Sequence, residues 1–378
     1  MGGSAYPQGE LTASFFFVSC IILVMPTATN ERLPCLLPRV SPPEWRFMRA
    51  ATRAWTIREA ARLSGLSASA ACRLARSFYS KGRLRFLFDM RRANLAVLAL
   101  VTPRLRVSEM PPFTFAVRDV YSMGAYTLVT ALIPPPLVDR YVDALGVEPV
   151  VAVRGYEYVR WTPESPLARY DPELRAIVPT FELEGAIEEC RGPVERWDRG
   201  LAAPDVYDLV LLFGRMRDPF ARPLRIYREA RLVWDPSLPE VSEQVLSYHF
   251  TRHLKAMWRG NTAIVFADMR LVPVRIFYFE GRDAPPFARV LCMLPGAFFA
   301  AIDSGRAILV AQFPSKYDEH IMRGVEGLDV ELVRYFVQSS TDMRGVTPLL
   351  WRYVEGRRWA FKEELRVPVV QRPPAKPA

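Results

Sequence analysis

Histidine and cysteine are scarce: three and five residues in a chain of 378. Cys20, Cys35, Cys72, Cys190 and Cys292 lie far apart with no Cys-x-x-Cys pair, so no zinc knuckle is visible and a reduced, cytoplasmic protein is the simplest expectation. GxGxxG, GxxxxGK[ST] and HExxH are all missing, which removes support for a nucleotide loop or a zinc protease. Lysine supplies only five of the fifty basic residues, an imbalance that assigns no function. Long apolar runs are missing too. Phe15 to Val24 is about ten residues, half of what a bilayer requires. The segment before it carries no Lys or Arg, unlike a signal peptide. No membrane partner is expected, and translation is expected to start at Met25, leaving residues 1–24 outside the fold.

The chain does carry an uneven positive charge. Its net balance is +10, and Pro43 to Arg92 alone holds twelve basic residues against three acids, a local +9. That excess favours a polyanionic partner. Within it lies Trp55 to Arg85, WTIREAARLSGLSASAACRLARSFYSKGRLR. Ile57 to Leu63 reads as a short helix with Ala60 and Ala61 where a second helix can pack. Gly65 suits the left-handed turn, and Ser67 is a good N-cap for a helix from Ala68. On that helix Ala71, Leu74, Ala75 and Phe78 share one face, while Ser69, Arg73, Arg76 and Ser80 share the other. The pattern suits a helix-turn-helix whose second helix enters a DNA major groove. Lys81 and Arg83 then lead into a wing strand, Leu84 to Phe88, where phosphates would pass.

Downstream, Asn94 to Val101, Phe113 to Tyr121, Tyr126 to Ile133 and Val150 to Val159 read as strands, with a helix from Pro135 to Leu145 and only a loop over Thr102 to Pro112. Thr162 to Pro204 reads as a partly structured linker. The second half then repeats the first. Phe88-Asp89-Met90-Arg91 recurs as Ala267-Asp268-Met269-Arg270, Pro111-Pro112-Phe113 as Pro285-Pro286-Phe287, and Leu128 to Pro134 as Ile308 to Pro314. A period this long means duplicated domains. At the offset of 179, Ser69, Arg73, Arg76 and Ser80 become Tyr248, Arg252, Lys255 and Arg259, on a second recognition helix expected over Ser242 to Arg259. Leu246, Phe250, Leu254 and Met257 form its inward face.

A helix-turn-helix followed by a small β-rich domain resembles the leucine-responsive (feast/famine) transcription regulators and related archaeal proteins. The residues that carry the resemblance are Thr56 to Gly82 and the strand-turn-strand Val117 to Val129, where Gly124-Ala125-Tyr126-Thr127 resembles a family Gly-x-Tyr-Asp turn. Thr127 replaces the usual Asp, the domain's first helix is missing or shrunk to Thr102–Pro112, and the chain is duplicated where the family has one copy per subunit. The resemblance implies an α+β chain of two winged helix-turn-helix modules, each followed by a βαββαβ-like (ferredoxin-like) domain. The expected domains are 1–42 (extension), 43–92, 93–161, 162–203 (linker), 204–270, 271–340 and 341–378 (tail). A fused repeat would pair its sheets within one chain as a pseudo-dimeric monomer, or as a homo-dimer. Val117, Val129, Val290 and Leu309 would fill a shared core, with Phe287–Met293 a strand. A small-molecule effector would bind in the seam.

These observations lead to an expectation of a DNA-binding transcription regulator, its partner double-stranded DNA. The expected contacts are Ser67, Ser69, Arg73, Arg76, Ser80, Lys81, Arg83, Tyr248, Arg252, Lys255 and Arg259. An architectural DNA-binding protein and an effector-sensing interaction protein are the alternatives. His249 and His253 have a spacing that can hold a metal, but no Cys or carboxylate pair stands nearby in sequence, so no metal is expected. No cofactor is expected. No nucleophile, base or metal constellation is recognisable, and the sequence reading is therefore of a non-enzyme. The Trp351 and Trp359 tail is expected to pack onto the core.

Overall fold

The computed structural model describes residues 39–372; the expected extension 1–24 and the start at Met25 lie outside the described residues. The first module is three helices: α1 (Pro42–Thr52), α2 (Ile57–Ser64) and α3 (Ala68–Phe78). Each start is capped locally. The Ser41 N–H donates to Glu44 at 2.8 Å, Thr56 accepts from the Glu59 N–H at 3.2 Å, and Ser67 accepts from the Ala70 N–H at 3.2 Å. Ala60, Ala61 and Ala71 are buried, so α2 and α3 approach closely, and Phe47, Met48, Phe78 and Leu84 fill the remaining core.

Strand β1 (Gly82–Phe88) follows. It is no free wing: it pairs antiparallel with β7 (Trp258–Val265) of the second half. Leu84 sits opposite Ala263, its own counterpart at the 179-residue offset, and Gly82 opposite Val265, the counterpart of Phe86.

The remaining strands are β2 (Ala96–Pro103), β3 (Thr114–Tyr121), β4 (Ala125–Ile133), β5 (Val151–Gly155), β6 (Glu157–Val159), β8 (Arg275–Glu280), β9 (Ala297–Asp303), β10 (Arg306–Ala311) and β11 (Glu331–Gly345). They form one antiparallel sheet in the order β5-β2-β4-β3-β11-β8-β10-β9-β6. Each half lays its four long strands in the order fourth, first, third, second. Because β5 and β6 are separated by Tyr156 alone, the two end strands are one run of chain and the sheet closes on itself. Gly155 stands at the closure. A Cβ there would lie 3.0 Å from Ala301 Cβ and 3.1 Å from both the Ile302 nitrogen and the Val97 oxygen.

Helix α4 (Val138–Leu145) and the 3-10 turn before it cover the first half. The residues 168–179 form a hairpin, and α5 (Leu183–Glu189) follows it. Trp45 of α1 stacks on Tyr170 of that hairpin at 5.4 Å, so the stretch expected as a linker packs against the first module. Helices α6 (Val206–Arg217), α7 (Pro223–Glu229) and α8 (Glu243–Tyr248) make the second module; α8 runs on through a π-helical turn, His249–Leu254, and Lys255–Met257. The last two are α9 (Ala284–Leu291) and α10 (Lys316–Arg323).

Two expectations about the repeat are corrected here. Pro285-Pro286-Phe287 opens α9 rather than a strand, because prolines fit a helix's first turn, where N–H groups have no partner. Pro111-Pro112 instead leads to Phe113, which turns with φ 71°. The four valine and leucine positions are all buried, but Val117 and Val129 belong to one core and Val290 and Leu309 to another, so they do not share one. The first half has no helix where the second has α9. The tail fills that place: Phe113 packs on Tyr353, Trp359 and Phe361 at 4.7, 5.7 and 6.2 Å between ring centres, and Val367 pairs with Met110. Among the described residues no helix is long and apolar enough to cross a membrane.

Candidate nucleic-acid interface

Helix α3 is held from behind and open in front. Its turn is made by Gly65 at φ 67°, a left-handed conformation that costs other residues about 1 kcal/mol or more. Ala71 and Phe78 point inward, and Ser67, Ser69, Arg73 and Arg76 are exposed on the outward face, while Ser80, expected on the same face, is exposed in the turn after the helix ends at Phe78, its hydroxyl donating to the Ser77 carbonyl at 2.7 Å. Arg73 and Arg76 have no hydrogen-bonding or acidic partner among the described residues. Arg58 and Arg62 of α2 are likewise exposed and unpaired. A row of free guanidinium groups on a rigid helix can fork onto guanine edges or phosphates without first breaking internal bonds.

Lys81 and Arg83 are placed differently. Lys81 Nζ lies 2.6 Å from a Glu44 carboxylate and donates to the Arg39 carbonyl at 3.3 Å. Burial pushes the Glu44 carboxyl up, but hydrogen bonds from Lys81 and Ser41 outweigh it and hold the group below its ordinary value. Arg83 donates to the carbonyls of Tyr79 and Gly82 at 2.6 and 2.7 Å and lies over the Tyr79 and Phe266 rings. Both cations tie the end of α3 to β1 and α1 before any ligand arrives.

In the second module Tyr248, Arg252 and Lys255 are exposed along α8 and its extension, while Leu246, Phe250, Leu254 and Met257 are buried. Arg259 is not on that helix. The helix ends at Met257, and Arg259 lies on β7, 3.2 Å from Asp89. The recognition helix therefore ends two residues before its expected C-terminal end.

The two modules are locked at Arg215. Its guanidinium, on α6, is almost fully buried, donates to the Trp55 carbonyl at 2.9 Å, and lies 4.1 Å from the Trp55 ring centre, with Phe86 and Phe250 on either side. Burial pushes it down to about 10. The aromatic cage replaces an acidic partner with cation–π attraction.

Among the described residues, the group able to hold a metal is Asp208 with His249 and His253. Asp208 is buried on α6 and accepts from the two ring Nδ1 atoms at 2.8 and 3.1 Å. The expectation of no metal rested on the lack of a carboxylate near the histidines in sequence; the fold brings one from a different helix. The hydrogen bonds by themselves also account for the arrangement, clamping α8 to α6. In the first half, Thr127, the residue at the resemblance's Asp position, is buried. Its hydroxyl accepts from the Leu105 N–H at 2.9 Å and faces Arg344, which is paired with Asp119.

No protein-family profile matches the chain, and no curated protein does. Two solved structures of the siroheme decarboxylase NirDL are similar. One is 11% identical, covers 79% of this chain and 91% of that chain, and gives a TM-score of 0.39. The other, in co-complex with an iron-uroporphyrin III analogue, is 10% identical, covers 78% and 90%, and gives 0.38. These neighbours are enzymes. They overturn the expectation that a chain of this build is not an enzyme, and that expectation is withdrawn. At this degree of likeness neither reaction nor substrate is carried across.

Proposed function

We propose that the chain binds double-stranded DNA through α3 and acts as a regulator built as an intramolecular pseudo-dimer. The observation that carries this reading is the exposed, unpaired pair Arg73 and Arg76 on a capped helix behind a left-handed glycine turn. The local +9 of residues 43–92 supports it, since phosphate neutralisation dominates affinity for DNA. In this reading the modules are 43–92 and 204–270, and 93–161 and 271–340 are the ferredoxin-like domains. The strand order of each half and the reciprocal β1–β7 ladder support the duplication. Tyr248, Arg252 and Lys255 form the weaker second reader, because residues 206–270 carry ten basic residues against seven acids, a balance of only +3.

The experiment is a fluorescence-anisotropy titration with a pool of genomic duplexes, then with an enriched site, at two salt concentrations. The expected result is tight binding to the enriched site that weakens steeply with salt. Equal affinity for enriched and random duplexes transfers the reading to an architectural protein. No binding at low salt removes DNA as the partner.

A further inference from the structure

Three guanidinium groups converge with no acid among the described residues between them. Arg85 lies on β1, opposite Thr262 of β7. The Thr262 hydroxyl donates to the carbonyl of Trp161, so the residue before it, Arg160, is brought beside the ladder. Arg160 lies over the rings of Tyr158 and Phe299, at 4.8 and 6.0 Å, and donates to the Tyr158 hydroxyl. Tyr158 is on β6, paired with Ala301 of β9. Arg118 reaches in from β3, its Nη1 donating to Gln338 Oε1 of β11 at 2.9 Å. The β1–β7 ladder, the residue just past β6 at the closure, and β3 where the two halves of the sheet meet thus contribute one guanidinium each.

None of the three forms an ion pair among the described residues. The charged and titratable groups that act on Arg85 are Arg160, Tyr158, Arg83 and Tyr79, and those that act on Arg118 are Tyr158 and Arg160. Among the described residues no carboxylate is in either set. Burial pushes Arg85 down to about 10 and lowers Arg118 as well, with the Arg160 charge adding to both. Arg118, Arg85, Arg160 and Tyr158 are all part-buried and keep some solvent access. Like charges in a low-dielectric setting repel, and leaving each without a counter-ion is costly. An incoming anion removes that cost.

We propose that Arg85, Arg118, Arg160 and the Tyr158 hydroxyl form a binding site for a small organic polycarboxylate. A guanidinium fork matches a carboxylate in plane and can bond it twice, and three forks suit more than one carboxylate on a single molecule. The half-buried setting admits a small molecule rather than a duplex. The site shares no residue with α3, so it stands or falls independently of DNA binding.

The test is titration calorimetry on the full chain with benzene-1,3,5-tricarboxylate, citrate and inorganic phosphate, together with melting curves. The expected result is saturable one-to-one binding of a tricarboxylate, weakened roughly tenfold or more by Arg118→Gln or Arg160→Gln and untouched by Arg73→Ala. Without ligand, the same glutamine variants should melt no lower than the parent, because each removes an uncompensated like charge. That second readout holds for Arg85→Gln or Arg160→Gln even where Arg118→Gln fails to fold. Absence of saturable carboxylate binding, unchanged affinity in the variants, or tighter binding of phosphate than of either carboxylate would each overturn the proposal.

Discussion

Replacing Trp359 with alanine should destabilise the protein by about 3–5 kcal/mol, the range for a large buried aromatic. Trp359 is 1% exposed, and it sits where the first half lacks a covering helix. Burying an indole removes about 150–250 Å² from water, worth about 4–6 kcal/mol at ~25 cal/mol per Å². The alanine methyl keeps a small part of that, and the walls relax only partly around the hole. The indole N–H also donates to the Ala93 carbonyl, but at 3.3 Å this bond is long and adds less than about 1 kcal/mol. Trp359→Phe separates the contributions. It keeps a ring edge-on to Phe113, loses the N–H and part of the volume, and should cost about 1–2 kcal/mol. Urea unfolding followed by far-UV circular dichroism measures both. A loss below about 1 kcal/mol for the alanine variant at unchanged m-value would refute the tail's role as the missing layer of the first half.

Gly155→Val should unfold or open the closed sheet, since its Cβ would already stand 3.0 Å from Ala301; a soluble variant with parental melting behaviour contradicts the closure. Lys81→Ala should show first in stability, by about 1 kcal/mol at neutral pH for a half-exposed charged bond. Because Glu44 is held below its ordinary value, that contribution is present above the unfolded carboxyl pKa and disappears as pH falls through the folded one, so parent and variant should converge in acid; parallel stability curves down to low pH would count against the pair. Burial pushes the Tyr353 hydroxyl up to about 12. Against an unfolded value near 10, that difference is worth on the order of 3 kcal/mol, present below pH ~10 and lost as pH rises towards ~12. Tyr353→Phe should therefore lose less stability over that alkaline window, and equal losses would rule out the buried hydroxyl as a cause.

What the sequence revealed was local. The α2–Gly65–α3 unit is written in neighbouring residues: a cap at Thr56, small residues at Ala60, Ala61 and Ala71, a glycine that takes φ 67° with least strain, and a second cap at Ser67. The inward face Leu246, Phe250, Leu254 and Met257 was legible for the same reason, through helical spacing. What escaped was non-local. Closure of the sheet depends on β6 reaching β9, and on β3 meeting β11 more than two hundred residues later. The repeated Pro-Pro-Phe misled because proline suits both a helix's first turn and a bend before a strand. Asp208 lies 41 residues before His249, so the histidine pair looked partnerless. The arginines at 85 and 118 come from two distant strands and Arg160 from the residue after a third, and alternation in Arg83-Leu84-Arg85 was their only local sign.

The central claim is that α3 reads DNA, and one titration tests it most directly. The parent, Arg73→Ala/Arg76→Ala and Arg252→Ala/Lys255→Ala are measured against one enriched duplex at fixed salt. With roughly 1–3 kcal/mol for each arginine that forks onto guanine, the first double variant should lose about 2–6 kcal/mol, roughly thirtyfold or more in Kd. The second should lose less. An unchanged Kd for Arg73→Ala/Arg76→Ala, or a greater loss for the Arg252 and Lys255 pair, would contradict the account.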